Sequence, residues 1–369
     1  MSKLFEMSRI NGMELSNRFV RTATWEGMAA ADGAVTSKLI ETMIALAQGG
    51  VGLIISGHTY IRPEGQASPL QLGIYKDDFI QGLREMTNAV HDSGGKIIMQ
   101  LAHAGNFAAK HLTGQPPLVV SDFEGLASSP RKEITEQGIG EMVRSFADAA
   151  RRAKSAGFDG VQIHSAHGYL LSQFLSPAFN RRKDEYGGDV QNRVRIHLEI
   201  YEAIRKVVGQ DYPVLIKLNS RDFIENGLGL EDSLQIAKIL ARAGMDAIEL
   251  SGGFITGGKL SPSRSGIDSE EKEAYFREDA RAMKKETGIP LILVGGMRSF
   301  NVAEKLIQDG TADYISMSRP LIKEPDLVNR WKAGDRRRAE CRSDNLCFKP
   351  GLDGEGIYCV VKSREKKNS

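Results

Sequence analysis

The segment HSAHGY at 164–169 places two imidazoles and a phenol close together, at His164, His167 and Tyr169. Two histidines at this spacing can each donate an N–H to one carbonyl or nitro oxygen. Tyr169, with an ordinary pKa of about 10, suits delivery of a proton to carbon in a dry pocket. The alternative is that one histidine and Tyr169 only pack the loop. A metal site is not expected, because neither an HExxH motif nor a nearby third ligand accompanies the pair.

Two further polar residues lie within or near the end of apolar runs that predict strands. Gln100 lies in the segment QLAHAG at 100–105, and its amide has a donor and an acceptor that can read a ring edge carrying N–H and C=O. It could equally be an ordinary polar residue at the rim of a sheet. Lys217 interrupts the run at 214–218. A buried cation needs an anionic counterpart, either an electron-rich cofactor or a carboxylate nearby.

Two further segments, VGGMR at 294–298 and SMSR at 316–319, have the composition of a phosphate site. Gly295 and Gly296 allow backbone N–H groups to approach an anion closely, and the Arg319 guanidinium can donate two parallel, charge-assisted hydrogen bonds to it. The residues by themselves therefore predict a phosphate-bearing ligand with the two histidines and the tyrosine above it.

The elements that must position these residues follow a repeating pattern, in which a helical stretch ends near a glycine and a short apolar run follows. Eight apolar runs predict buried parallel strands; they lie at 19–22, 51–55, 96–101, around 161–163, at 214–218, around 248, at 291–294 and around 315. Amphipathic stretches between them predict helices; they lie at 37–48, 78–93, 141–155, 191–208, 230–243, 271–287 and 301–308.

Eight alternating units predict an α/β protein, a single (β/α)8 TIM barrel with a short C-terminal extension. An open doubly wound sheet is the alternative, but no strand ends in GxGxxG. We expect the barrel domain to cover residues 1–332 and the extension to cover 333–369. In a barrel the active site forms at the carboxyl ends of the strands, where all the residues above would meet.

The composition excludes several classes of protein. The chain has 369 residues, 26% of them charged, and a net charge of +2, which gives no electrostatic footprint for nucleic acid. No apolar run approaches the roughly 20 residues that span a bilayer, and residues 1–10 do not resemble a signal peptide. Three cysteines, clustered near the end, do not form a disulfide framework. We expect a cytoplasmic protein with no nucleic-acid or membrane partner.

Several of these segments resemble the Old Yellow Enzyme family of FMN-dependent ene reductases. The resemblance is carried by HSAHGYLLSQFLSPAFNRRKDEYGGDVQNR at 164–193, QLAHAG at 100–105, NRFVRTATWEG at 17–27 and the two phosphate-type segments. It covers roughly residues 3–332 in order. It implies a (β/α)8 barrel that binds FMN noncovalently and takes electrons from NADH or NADPH.

The resemblance also implies roles for individual residues. His164 and His167 match the pair that binds the activating oxygen of an α,β-unsaturated carbonyl or nitro compound, and Tyr169 matches the proton donor to its α-carbon. Hydride would pass from flavin N5 to the β-carbon. The positions that match cofactor contacts are Ala23 and Thr24 under the isoalloxazine ring, Gln100 at its pyrimidine edge, Lys217 near N1 and O2, and Gly295, Gly296, Ser318 and Arg319 at the phosphate.

The sequence departs from the family pattern at three places. Trp25 stands where members often have Cys or Thr; its indole could donate an N–H to the flavin or narrow the substrate pocket. Lys217 replaces the usual Arg, and its ammonium group is a point charge that cannot donate two parallel hydrogen bonds as a guanidinium does. The third departure is a cysteine motif in the extension. Larger relatives bind a [4Fe–4S] cluster through four cysteines at similar spacing; here Asp344 stands in place of one, with Cys341, Cys347 and Cys359 remaining. We expect no metal or cluster.

Two other enzyme classes stay open on the sequence alone. One is a flavin oxidoreductase of the dienoyl-CoA reductase or amine dehydrogenase kind, which the histidine pair disfavours because it suits an anionic oxygen better than an amine. The other is a non-flavin barrel acting on a sugar phosphate, with Lys217 as a Schiff-base residue. A flavin-binding protein without turnover is a further alternative. The resemblance implies a small-molecule activated alkene as substrate, with NADH and NADPH both open as reductants and a homo-oligomer open beside a monomer.

Overall fold

A computed structural model describes residues 2–123 and 130–367. Its strands, in chain order, are β1 (Ser8–Ile10), β2 (Met13–Leu15), β3 (Phe19–Arg21), β4 (Leu53–Ile55), β5 (Thr59–Tyr60), β6 (Ile97–Ala102), β7 (Leu118–Val119), β8 (Lys132–Glu133), β9 (Gly160–Ser165), β10 (Val214–Asn219), β11 (Ala247–Ser251), β12 (Leu291–Leu293) and β13 (Tyr314–Met317).

Eight of these strands form a closed parallel barrel. The hydrogen-bonded order runs β3, β4, β6, β9, β10, β11, β12, β13 and back to β3, and every pairing is parallel. Each of the eight predicted strands is present within a few residues of its expected place, so the predicted (β/α)8 barrel is confirmed. The strands are buried throughout, which explains why they read as apolar runs without alternation.

Helices alternate with the barrel strands along the chain and continue into the extension. They are α1 (Ser37–Gln48), α2 (Ile80–Asp92), α3 (Lys110–Thr113), α4 (Glu136–Ser155), α5 (Leu170–Leu175), α6 (Val190–Val208), α7 (Leu230–Ala243), α8 (Arg277–Thr287), α9 (Phe300–Gln308), α10 (Arg319–Lys323), α11 (Leu327–Lys332), α12 (Lys349–Leu352) and α13 (Val360–Lys367). The seven predicted helices correspond to α1, α2, α4 and α6 to α9.

Two glycines of the repeating pattern have the left-handed backbone that is expected where a helix ends. Gly244 follows α7 with φ of 101°, and Gly157 follows α4 with φ of 86°. Glycine adopts this left-handed backbone without the steric cost that a Cβ imposes, so each helix can turn sharply into the next strand.

The hairpin of β1 and β2 closes the amino-terminal end of the barrel, and sequence reasoning did not foresee it. Ile10, Met13 and Leu15 are buried against apolar side chains from the barrel strands. This end is therefore sealed by apolar packing, and ligands must enter at the opposite, carboxyl end of the strands.

The described part of the C-terminal extension packs against that carboxyl end. Arg298 donates to the backbone carbonyl of Ala339 at 3.1 Å, and the Ile357 amide donates to the carbonyl of Glu26 at 2.8 Å. The division into a barrel domain and an extension remains a prediction. Among the described residues, no helix combines the length and apolar character that crossing a membrane requires.

Candidate active site

The carboxyl ends of the barrel strands surround a cavity of about 980 Å³, including the open space at its mouth. The structure brings nearly all the predicted site residues to its wall: Ala23, Thr24, Trp25, Gln100, His164, His167, Tyr169, Lys217, Gly296, Ser318 and Arg319.

Gly295 is the one predicted site residue that the structure places outside the cavity wall. It adopts φ of 137°, and a Cβ there would lie 3.2 Å from the Phe276 ring and 3.3 Å from the Tyr275 ring. Its neighbour Gly296, with φ of 72°, does line the cavity. Gly295 thus makes room for two aromatic rings, of which Tyr275 also lines the cavity, while Gly296 is part of the cavity wall itself.

The strand β9 and the turn after it position the two histidines and the tyrosine. His164 lies on the strand, and His167 turns the chain with a left-handed backbone, φ of 63°. The centroids of the His164 and His167 rings are 5.3 Å apart, and those of His164 and Tyr169 are 4.8 Å apart. His167 is held by Ser251, whose Oγ lies 2.7 Å from Nε2. The predicted triplet therefore converges on one wall.

Burial determines the protonation of this wall. It lowers the pKa of His164 and His167 well below the ordinary value, and the nearby Lys217 cation lowers both further. Burial also raises the pKa of Tyr169. At neutral pH both imidazoles are consequently uncharged hydrogen-bond donors, and Tyr169 keeps its proton. The Nδ1 atom of His164 is buried without a hydrogen-bond partner among the described residues.

A buried polar network supports the cavity floor. Lys217 donates to Thr22 Oγ1 at 2.7 Å and forms an ion pair with Glu249, Nζ to Oε2, at 3.2 Å. Gln100 donates to Gln162 at 2.7 Å, and Gln162 donates to Glu249 at 3.0 Å. The anionic counterpart that Lys217 requires is thus provided within the protein. The pKa of Glu249 is lowered because the lysine and these donors outweigh the effect of burial.

Sequence reasoning missed Glu249, although a carboxylate inside the apolar strand β11 was a usable signal. A buried charge in a barrel strand needs a partner, and Lys217 on the adjacent strand is paired with it in register. A Schiff-base role for Lys217 has no support from this arrangement.

Cationic and hydroxyl groups gather at the other end of the cavity. Arg298 and Arg319 both line it, and they bond to neutral partners: Arg298 to backbone carbonyls, and Arg319 to Asn345 Oδ1 at 2.7 Å. The Nε atom of Arg298 is buried without a partner among residues 2–123 and 130–367. Thr24 and Ser318 share a hydrogen bond of 2.7 Å beside them. Two guanidinium groups that have no carboxylate partner among the described residues suit an anion.

Trp25 forms a side wall of the cavity. Its indole N–H donates to the carbonyl of Pro69 at 3.1 Å, so the N–H is not free for a cofactor, contrary to one expectation from the sequence. A Cβ on Gly351, in the extension, would lie 3.0 Å from the indole. Phe348 of the extension also lines the cavity. Trp25 therefore narrows the ligand space, and the extension holds it in place.

His58 is a second residue that sequence reasoning missed. It follows β4, lines the cavity and lies with Nε2 3.2 Å from the Tyr169 hydroxyl. The rule that barrel active sites lie after the carboxyl ends of strands could have identified it.

Comparison with known proteins identifies the group to which this site belongs. A sequence profile described as the NADH:flavin oxidoreductase / NADH oxidase family matches residues 3–337. The chain belongs to this family. The predicted resemblance is thereby confirmed, and a non-flavin sugar-phosphate enzyme is excluded.

Individual members of the NADH:flavin oxidoreductase family show the extent of the similarity. An NADH oxidase of Thermoanaerobacter brockii is 38% identical over 99% of this chain, which spans 58% of that protein. An NADPH dehydrogenase of Geobacillus thermodenitrificans is 36% identical, over 87% of this chain and 91% of its own. The structure of an old yellow enzyme homologue from Zymomonas mobilis, 26% identical, superposes with a TM-score of 0.78 and covers 97% of this chain and 98% of its own.

The cofactor of this family is FMN, with NADH or NADPH as reductant, and the residues present fit it. The Arg298 and Arg319 guanidinium groups line the cavity after β12 and β13, and the Gln100 amide lines it from β6, which lies across the barrel from β12. Gly296 also lines the cavity, with the left-handed backbone that favours glycine. A phosphate at one end and the polar edge of a flavin at the other would satisfy both.

An iron–sulfur cluster does not fit the residues present. Cys341, Cys347 and Cys359 line a small pocket with Asp344, next to Arg319. The chain has three cysteines, one fewer than the usual ligand set. Among the described residues, no group of three or more His, Cys, Asp or Glu side chains is arranged to hold a metal ion.

Proposed function

We propose that this member of the family reduces the C=C bond of α,β-unsaturated carbonyl or nitro compounds. One observation carries the proposal: two uncharged histidines and a protonated tyrosine share a wall of the cavity that fits FMN. Such a wall can hold an oxygen and deliver a proton to a carbon of the same small molecule.

The histidines bind the oxygen of the substrate in this proposal. His164 and His167 are neutral because burial lowers their pKa values, so each ring offers one N–H rather than a positive charge. Donors of this kind stabilise an oxygen that becomes negative as the alkene accepts hydride. The carbonyl or nitro group is thereby polarised, and its β-carbon becomes electrophilic.

Tyr169 supplies the proton. Its hydroxyl is buried and protonated at neutral pH, since burial raises its pKa. A weak acid held in a dry site protonates a carbanion without losing its proton to solvent beforehand. In the reaction the Tyr169 O–H bond breaks, a C–H bond forms at the α-carbon, and the phenolate regains a proton from solvent.

The remaining site residues would hold the cofactor. We assign the ring to Ala23, Thr24, Gln100 and Lys217, and the phosphate to Gly296, Ser318 and Arg319, with Gly295 shaping the loop. When bound, FMN would supply the hydride chemistry that connects NADH or NADPH to the alkene. Because Glu249 already neutralises Lys217, this lysine contributes less net positive charge than an unpaired cation would.

The test compares the two half-reactions of the FMN-loaded protein in wild type and Tyr169→Phe. Cyclohexenone should reoxidise the NADPH-reduced wild-type protein anaerobically. Tyr169→Phe should slow this step by about 10²-fold or more, the usual contribution of a general acid, and leave reduction by NADPH within about threefold. Failure of wild type to reduce any activated alkene would refute the proposed function. An equal loss in both half-reactions would remove Tyr169 as the proton donor.

A further inference from the structure

The Tyr169 hydroxyl has a single hydrogen-bonding neighbour in the part of the chain that the structure describes, and it is His58. The Oη and Nε2 atoms are 3.2 Å apart, and the two ring centroids are 5.4 Å apart in an edge-on arrangement. The His58 ring also lies 6.4 Å from that of His164. His58 comes from the segment after β4, so a separate element of the barrel reaches the proposed proton donor.

The backbone around His58 is fixed. Its carbonyl accepts a hydrogen bond from Gln71 Nε2 at 2.9 Å, and the carbonyl of Gly57 accepts from Thr59 Oγ1 at 3.0 Å. The backbone from which the imidazole extends toward Tyr169 is therefore held in place by the fold. No carboxylate or cation forms an ion pair with His58 among the described residues.

The two directions of this hydrogen bond have opposite consequences for proton delivery. Burial lowers the pKa of His58 to about 4, so the ring is neutral at neutral pH and has one N–H and one lone pair. If Tyr169 donated to Nε2, its proton would point away from the substrate. If Nε2–H donates to Oη, the Tyr169 proton is free to point into the cavity. The same N–H then stabilises the phenolate that forms when the proton leaves.

We infer that His58 is a positioning residue for Tyr169: its Nε2–H donates to the tyrosine hydroxyl and directs the tyrosine proton into the cavity. The inference rests on the proposed function, in which Tyr169 protonates the α-carbon. His58 itself does not exchange a proton with the substrate. It acts on the orientation of the O–H bond and on the negative charge that Tyr169 develops.

The kinetic experiment measures reoxidation of the NADPH-reduced, FMN-loaded protein by cyclohexenone in a single turnover. His58→Ala should slow this step by about 10- to 100-fold, the range for losing a hydrogen bond to a charged group. His58→Gln, whose amide N–H can still donate, should recover most of the rate. His111→Ala, which removes an exposed histidine outside the cavity, is the matched control and should match wild type.

A double-mutant cycle with Tyr169→Phe separates positioning from general damage to the site. Without the hydroxyl there is nothing for His58 to orient, so His58→Ala should change the Tyr169→Phe rate by no more than about threefold. Binding of p-hydroxybenzaldehyde, which would rest on His164 and His167, should also stay within about threefold in His58→Ala. An undiminished effect in the Tyr169→Phe background would overturn the inference, as would an unchanged rate for His58→Ala alone.

A measurement that needs no turnover tests the same hydrogen bond. In wild-type protein labelled with ¹³C and ¹⁵N, the His58 ring signals, assigned through bonds from its own backbone amide, should report a neutral ring protonated on Nε2 at pH 7. A ring protonated on Nδ1 would overturn the inference even if the variants failed to fold. If wild type reduces no activated alkene, the proposed function fails, whereas the tautomer still shows whether His58 donates to Tyr169.

Discussion

Replacing His164 by Ala tests the proposed oxygen-binding pair most sharply. His164 is 4% exposed, and its Nδ1 has no partner among the described residues, whereas His167 is bonded to Ser251 through Nε2. Burial keeps both rings neutral, and with the Ser251 hydroxyl donating to His167 Nε2 the substrate oxygen has two N–H donors, of which the variant leaves one. Loss of one donor of this kind costs about 2.7–4 kcal/mol, or about 10²- to 10³-fold in rate. Because His167 remains, we expect the lower end, about 10²-fold.

Two assays on the FMN-loaded protein check this value. Single-turnover reoxidation by cyclohexenone should slow by about 10²-fold, while reduction by NADPH should be nearly unchanged. The dissociation constant of p-hydroxybenzaldehyde, whose phenolate mimics the anionic oxygen, should rise by at least about tenfold. The His111→Ala variant serves again as the control. Unchanged phenol affinity in His164→Ala would refute the assignment of the histidine pair.

Two further predictions concern stability and the cofactor. Burial lowers the pKa of His58 and His103 to about 4 and that of His197 to about 3, against about 6.5 in the unfolded chain. The unfolded state thus binds more protons below about pH 6.5, so the free energy of unfolding should fall as pH drops from about 6.5 to 4, by up to about 1.4 kcal/mol per pH unit for each histidine. Urea denaturation at several pH values checks this, and a constant value between pH 6.5 and 5 would contradict it. Asn345→Ala removes the acceptor that orients the Arg319 guanidinium, so FMN should bind about 3- to 10-fold more weakly in fluorescence titrations of the apoprotein. Equal affinity would show that Asn345 does not orient Arg319.

The barrel could be predicted from the sequence because each of its strands is buried on both faces. Burial makes the strands continuous apolar runs, and the glycines after the helices mark where each run begins. The β1–β2 hairpin gave no comparable signal. Its strands have three residues each, and their burial depends on closing the far end of a barrel that the local sequence does not describe.

The site residues that could be predicted are those that lie close together along the chain. His164, His167 and Tyr169 lie within six residues, so their convergence follows from one strand and one turn. His58 and Glu249 reach the site from other strands, and only the closed barrel shows what they contact. The direction of the Trp25 indole was not predictable either, because its acceptor, Pro69, belongs to a distant loop.

The central claim is tested most directly by the visible absorption spectrum of the purified protein, before and after p-hydroxybenzaldehyde is added. The account predicts flavin absorption bands and, on addition of the phenol, a new long-wavelength charge-transfer band, because the phenolate would bind to His164 and His167 over the flavin. Flavin bands without the charge-transfer band would contradict the assigned substrate pocket. A protein that stays colourless after incubation with FMN would contradict the account as a whole.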